Sequence, residues 1–335
     1  MAVETTPLVK PASSWMKRMR TDKVINNLSY LTMVLPGAIW LFLFSYLPMP
    51  GIILAFKTYR FNLPPKDFWI QNKFIYSLIT SPWVGLQNFR YLTLPTNINN
   101  TLTYVRNTVG YNLLFMVVGL VFQVALAVII FELTNRFWAK LYHSILFLPF
   151  FISWIVVAYV VYALGSSNGI INNILTSTHL GTLEIYKVTA AWPVIFLLAN
   201  IWKYTGNGSI IYLATITGID RELYEAAAMD GATKWKQFVH ITLPQIMPVI
   251  VLLQILAVGR ILGSDFDMFY TLPNGAAMVK NVTYTLDVFV YNMLRTGSPV
   301  GFPAAAAFVQ SVFGFILILV TNYVVRKTRP DLALF

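Results

Sequence analysis

Long apolar stretches constrain this chain more than any other feature. Residues 30–56, YLTMVLPGAIWLFLFSYLPMPGIILAF, hold no charged side chain, and an α-helix of about 20 such residues crosses the roughly 30 Å hydrocarbon core of a bilayer. Only 11% of the 335 residues are charged, against about 25% in an ordinary soluble domain. Strands of a transmembrane barrel alternate apolar and polar residues over about 10 positions, whereas these stretches are apolar on every face. Helices are the remaining way to satisfy the backbone in lipid. The sequence therefore predicts an all-α membrane protein.

Six transmembrane helices are expected, at about 30–56, 108–131, 145–164, 188–217, 245–263 and 304–325. Pro48 and Pro50 break or kink the far end of the first. The segments NLPPKDFWIQ and SPWVGLQNF, in the polar region that follows, suggest turns and short amphipathic pieces. ELTNRFWAKLYHS and GSSNGIINNILTSTHLGTLEIYK read as connections, and a loop of about 40 residues ending GSPVGFP precedes the last span. The chain thus divides into a basic tail (1–29), a six-span domain (30–325) and a second tail (326–335). The first tail carries Lys10, Lys17, Arg18, Arg20 and Lys23 without a small-residue cleavage site, and reads as a retained tail instead of a signal peptide. Six spans put both termini on one side. Segments on that side hold 13 Lys and Arg residues, against nine spread over about twice the length on the other, so the positive-inside rule makes the termini and 218–244 cytoplasmic.

The net charge of +11 is scattered at span borders, where topology calls for it, so no nucleic-acid partner is expected. The chain has no cysteine, and His143, His179 and His240 lie far apart without ligand spacing, so no metal site is expected. Nucleophile-elbow and HExxH patterns are missing, so no catalytic residue is assigned. Of the 13 acids, only Asp265 and Asp267 are read as lying near a span, which leaves a proton-coupled transporter without its usual equipment.

The polar segment 218–244 contains YEAAAMDGATKWKQFVHITLP. Asp220 can accept from the first N–H groups of a helix holding Tyr224 to Met229, and Glu222 and Glu225 suit its positive end. Gly231 permits a left-handed turn, and Thr233 can cap a second short helix through about His240. Ile241, Leu243 and Pro244 then lead into the membrane. The expected product is a helix–turn–helix against the bilayer face, with Ala226, Ala227, Ala228 and Ala232 leaving room for another surface. A plain connector, the alternative, needs neither the alanine run nor the paired caps.

The order Glu-Ala-Ala, Gly, nine residues, Ile-x-Leu-Pro is carried by Glu225, Ala226, Ala227, Gly231, Ile241, Leu243 and Pro244. It resembles the signature loop of inner-membrane permease subunits of binding-protein-dependent ABC importers. NIWKYTGNGSIIYLATITGIDRELYEAAAMDGA, LPFFISW and SPWVGLQNF are similar to the carbohydrate-importing branch, in particular permeases for complex or polysaccharide-derived oligosaccharides. The resemblance runs from about residue 30 onward. It implies a coupling helix seated in a groove of a separate ATPase subunit, with Glu225 as a charged contact, Ala226 and Ala227 as the close-packed surface and Gly231 as the turn. Asp230, Ile241, Leu243 and Pro244 complete the implied coupling set. Also implied are two ATPase subunits that hold ATP and Mg, a second homologous permease, an extracytoplasmic solute-binding protein and an oligosaccharide substrate. The chain has no G-x-x-x-x-G-K-[ST] phosphate loop of its own, so it is expected to bind no cofactor.

Candidates for the substrate path are Trp154, Trp202, Lys203, Tyr204, Asn207, Arg260 and Asp265. Aromatic faces suit sugar rings and amides or hydroxyls suit their oxygens, although aromatic residues also anchor helices at interfaces. Two readings stand for Lys203 and Arg260: a structural ion pair with Asp265 or a helix-end snorkel, and a contact to sugar hydroxyls or a uronate carboxylate. The rival function is a secondary transporter or channel working without ATP, which would show internal repeats, paired broken helices or intramembrane acids. A non-transporting scaffold would explain the helices but not the 218–244 segment.

Overall fold

The computed structural model describes residues 30–65, 72–95, 97–179 and 181–333. The basic tail 1–29, the KDFWIQ end of NLPPKDFWIQ and the last two residues lie outside them. Among the described residues all regular structure is helical, apart from one isolated bridge between Lys57 and Trp83. Among these residues, the described ones, five helices are long and apolar enough to cross a membrane: Tyr30–Phe56, Ile98–Glu132, Trp154–Ser177, Lys234–Val258 and Gly301–Thr328.

The chain separates into two compact units, Met1–Ile53 and Leu54–Phe335. The first supplies most of helix α1 (Tyr30–Phe56), which widens into a π-turn at Phe42–Tyr46 and tightens to a 3-10 helix from Met49. Pro48 and Pro50 remove the backbone donors that would continue an α-helix there.

In the second unit, α2 (Lys73–Thr80) and α3 (Gln87–Thr93) are the short pieces expected in the polar region. Asn88 Nδ2 donates to the carbonyls of Ala55 (2.9 Å) and Lys57 (3.0 Å), tying the SPWVGLQNF stretch to the chain before it. Helix α4 (Ile98–Glu132) has 35 residues, or about 50 Å at 1.5 Å per residue, and begins ten residues before the expected span. It packs along α8 (Ala191–Thr217). One end of this pair buries Val124, Ala127, Tyr212 and Ile216 against Ile246 and Ile250 of α10 (Lys234–Val258). The other end buries Tyr111, Trp192 and Phe196 against Met268, Phe269 and Leu272.

Three expectations need correction. The span expected at 145–164 is interrupted: α5 (Arg136–Phe147) ends where Pro149 cannot donate, a 3-10 turn follows at Leu148–Phe151, and α6 (Trp154–Gly165) restarts behind Ser153. GSSNGIINNILTSTHLGTLEIYK is not all connection, because it contains α7 (Ile170–Ser177), and the buried Asn172 accepts from Leu183 N–H and donates to the carbonyls of Ser166 and Leu183. The 40-residue loop is also folded, into α11 (Phe266–Thr271), α12 (Lys280–Thr283) and α13 (Leu286–Arg295), ahead of α14 (Gly301–Thr328). Side chains of α4 hold it: Asn107 Nδ2 donates to Asn281 O and Tyr284 O, Tyr111 OH donates to Val282 O, and Thr108 Oγ1 accepts from Leu286 N–H.

Helix α8 is not among the five helices apolar enough to count as spans by composition. Its 27 residues would reach about 40 Å, and the polar Lys203 and Ser209 are buried, facing protein. Gly206 makes this packing possible, since a methyl there would fall on the backbone carbonyl of Leu146. Gly206→Ala should therefore lower stability by about 1–3 kcal/mol, read as a fall in the Tm of the detergent-solubilised protein. Gly208→Ala, which meets only the flexible end of Gln123, should cost less, and equal Tm values for the two variants would contradict the packing.

Candidate functional site

Two places carry chemistry that packing alone does not require. The first forms where the helix breaks at Pro149. The carbonyls of Pro149, Phe150 and Ile152 turn toward α8, and Lys203 Nζ donates to all three, at 3.4 Å and 3.1 Å to the first two. Lys203 is only 6% exposed, so these carbonyls replace the water its ammonium gives up. The ammonium also lies 5.1 Å from the Trp154 ring centroid, a cation–π contact.

Trp154 and Tyr204 then converge on one carboxylate oxygen. Trp154 Nε1–H donates to Asp265 Oδ2 at 2.8 Å and Tyr204 OH donates to the same atom at 2.6 Å. Asp265 Oδ1 accepts from Met268 N–H at 3.4 Å and so caps α11. The structure thus brings together Trp154, Lys203, Tyr204 and Asp265 from α6, α8 and the start of α11. It does not gather the other three pathway candidates around them: Trp202 is 48% exposed, Asn207 is half-buried, and Arg260 is exposed just past the end of α10. The Lys203–Asp265 ion pair considered from sequence is not formed, because the cation is spent on carbonyls and the carboxylate on neutral donors.

Sequence reasoning missed Asp287. Its carboxylate accepts from Ser264 N–H, from Ser264 Oγ (2.8 Å) and from Gln310 Nε2 (3.1 Å), joining α13 and α14 to the chain after α10. The available signal was an acid in the first turn of the amphipathic run LDVFVYNMLR, hidden by reading that region as loop.

The second place is the 220–244 segment. Asp220 Oδ1 accepts from Glu222 N–H at 3.1 Å and starts α9 (Arg221–Met229). Gly231 closes it at φ +76°, with Ala232 N–H donating to Ala227 O (2.9 Å) and Gly231 N–H to Ala228 O (3.0 Å), a left-handed helix terminus. Thr233 caps the next helix, as expected. That helix does not stop at His240 but is the beginning of α10, continuous to Val258 through a π-turn at Phe238–Thr242. The π-turn leads into Pro244, which sits in the first turn of the α-helix beyond it.

Tyr224 anchors the segment. Its OH shares a 2.9 Å hydrogen bond with Thr242 Oγ1, its ring centroid lies 5.6 Å from that of Phe131, and its carbonyl accepts from Gln237 Nε2. Lys234 pairs with Glu132 at 2.6 Å. The eight residues implied by resemblance do not share one surface. Glu225, Ala226, Asp230, Gly231 and Pro244 are exposed, Ala227 and Ile241 are half-buried, and Leu243 packs inward against the Val124–Ile250 cluster. Met229 (89% exposed) and Trp235 (70%) complete the outer face and were missed. The signal for Met229 was its helical spacing from Glu225 and Ala226.

A multi-pass helical protein that buries a lysine in its core beside a partly buried aspartate, and holds a short amphipathic helix at its surface, has the build of a membrane transport subunit. Residues 123–330 match the binding-protein-dependent transport system inner membrane component family, and the chain belongs to it. It is 31% identical over 317 residues to Protein LplB of Bacillus subtilis, covering 94% of this chain and 92% of that one. It is 32% identical over 313 residues to the polygalacturonan/rhamnogalacturonan transport system permease protein YteP of the same organism, covering 93% and 91%. Among solved structures it resembles a subunit of a bacterial ABC transporter that imports the acidic polysaccharide alginate, with TM-score 0.76 and 29% identity over 93% of this chain and 99% of that one. The chain is thus a non-catalytic permease subunit of an ABC importer, which sets aside the ATP-independent rival.

The convergence on Asp265 gives a direct check. Asp265→Ala removes the acceptor of Trp154 Nε1–H, Tyr204 OH and Met268 N–H and should cost about 2–3 kcal/mol, whereas Asp265→Asn keeps an acceptor and should cost less than half of that. Tm values of the purified variants measure this, and similar losses for both would show that the carboxylate oxygen is not the organising atom.

Proposed function

We propose that this permease carries an oligosaccharide inward across the cytoplasmic membrane, and that α9 with the Gly231 turn is the coupling helix that docks on a separate ATPase subunit. The observation that carries the coupling assignment is a helix held from below through Tyr224, by Thr242, Gln237 and Phe131, while its outer face, with Glu225, Ala226 and Met229, has no partner among the described residues. The cargo assignment rests on relatives whose names specify carbohydrate: the polygalacturonan/rhamnogalacturonan permease, a lactose permease of Rhizobium radiobacter and an arabinooligosaccharide permease of Halalkalibacterium halodurans.

In this reading α8 is a sixth span, shielded by α4 and α5, so its low apolarity reflects an inner position. The termini, α5 and α9 face the cytoplasm. Arg136, Lys140, Arg221, Arg326 and Lys327 on those segments, with Lys234 and Lys236 at the start of α10, support that side. Two ATPase subunits holding ATP and Mg, a second homologous permease and an extracytoplasmic solute-binding protein complete the importer. A similar alginate transporter has been solved with a pentasaccharide-bound periplasmic protein, which supports the last of these partners.

The mechanism is a two-state one. Closure of the ATPase pair displaces the docked α9, and its ties to the end of α4 and the start of α10 carry the displacement into the membrane helices. Pathway opening then exchanges inward-open for outward-open arrangements, with Trp154, Lys203, Tyr204 and Asp265 on elements that move relative to one another.

Gly231→Leu tests the coupling role. A Cβ at Gly231 meets no atom within 4 Å, so the cost at that atom is the left-handed backbone itself, about 1 kcal/mol or more. The variant should insert normally yet lose most substrate-stimulated ATPase activity in the assembled importer, and full stimulation would remove the docking role.

A further inference from the structure

A cavity of about 600 Å³ opens between α6, the Pro273–Ala276 turn and α13, and a second of about 320 Å³ adjoins it. Tyr284 and Asn292 line both, so the two lie side by side as a trough in two parts. Neither is lined by an acidic residue, and each holds one cation, Arg295 in the larger and Lys280 in the smaller. The trough lies apart from the Lys203–Asp265 cluster, and no residue of that cluster lines it.

Arg295 is aimed. Its Nη1 donates to Tyr270 OH at 3.1 Å, and Tyr270 is stacked on Phe266 with centroids 5.2 Å apart and planes 16° apart. One corner of the guanidinium is thereby held while the rest of its five-donor fork stays open. Lys280 Nζ lies 4.7 Å from the Tyr284 ring centroid. Asn292 Nδ2 donates to Val288 O (2.9 Å) and Tyr284 OH (3.3 Å), which leaves its amide oxygen to accept from a ligand hydroxyl. Tyr159 and Tyr162 of α6 supply aromatic faces on the opposite wall.

A neutral sugar would use the tyrosines and amides but has no need of two cations that no lining acid opposes. A carboxylate does, because a planar guanidinium fork binds it through paired charge-assisted hydrogen bonds. We propose that the trough is a subsite for uronate units of an oligosaccharide, with Arg295 receiving the carboxylate in the larger cavity and Lys280 facing the adjoining unit. The volume lies within the range of small-molecule pockets, about 300–1,000 Å³. This inference rests on the importer reading given above and narrows its substrate to acidic sugars.

The test is equilibrium binding of trigalacturonate and of its fully methyl-esterified, neutral form to the purified permease–ATPase complex without the solute-binding protein. The native complex should prefer the acid. Arg295→Gln should weaken trigalacturonate at least about tenfold while leaving the ester unchanged, and Arg295→Lys should fall between. The unchanged ester shows that the trough is still folded. Equal binding of the acid by native and Gln variants, no binding of either probe by the native complex, or equal loss of both probes would overturn the subsite. ATPase stimulation of the complete importer separates the two claims: Arg295-dependent binding with no stimulation by either probe would leave the subsite standing and sink the transport reading.

Discussion

A lysine ammonium inside a membrane protein must exchange its water for other acceptors, and much of this permease is arranged around the place where Lys203 does so. Pro149 interrupts the helix that α5 begins, and the carbonyls turned out by the interruption receive Lys203 Nζ. Each irregularity compensates the other. A continuous helix would keep its carbonyls for its own N–H groups and leave the cation buried without acceptors, while the broken helix without the cation would leave polar oxygens facing a packed neighbour.

The consequences spread outward from that contact. Lys203 sits against Trp154, Trp154 and Tyr204 fix Asp265, and Asp265 starts α11, which carries Met268 and Phe269 into the larger aromatic core. At the other end of α8, Tyr212 and Ile216 share a core with Ile246 and Ile250 of α10, the helix to which Tyr224 moors α9. One rigid rod, α8, therefore has the buried polar cluster along its length and the anchorage of the surface helix near its end. In the mechanism proposed above, the link from the docking surface to the pathway runs through these packed side chains and a few named hydrogen bonds.

Legibility followed the range of the interactions. Helices that hydrogen-bond within themselves and sit in an apolar solvent were readable from local composition, and the caps at Asp220 and Thr233 and the turn at Gly231 were readable because each involves residues within a few positions. The interrupted third span was misread because a hydropathy stretch registers greasiness and not the missing donor of Pro149. The folded region after α10 was misread as loop because its backbone carbonyls and N–H groups are satisfied by Asn107, Tyr111 and Thr108, more than 150 residues earlier in the chain. Leu243 matched a surface motif by sequence and turned out to face the core, since a periodic pattern does not say which neighbour a helix face meets.

By itself, then, the sequence determined the class: an all-helical membrane chain, with a capped alanine-rich segment that resembles a coupling loop, because length, apolarity and capping are properties of contiguous residues. Only the tertiary structure decided that Lys203 is held by carbonyls instead of by Asp265, that Asp265 gathers Trp154 and Tyr204, and that Arg295 shares a trough with Tyr284 and Asn292. A buried charge chooses its partner by distance after packing, and many acceptors distant in sequence compete for it until the helices have docked.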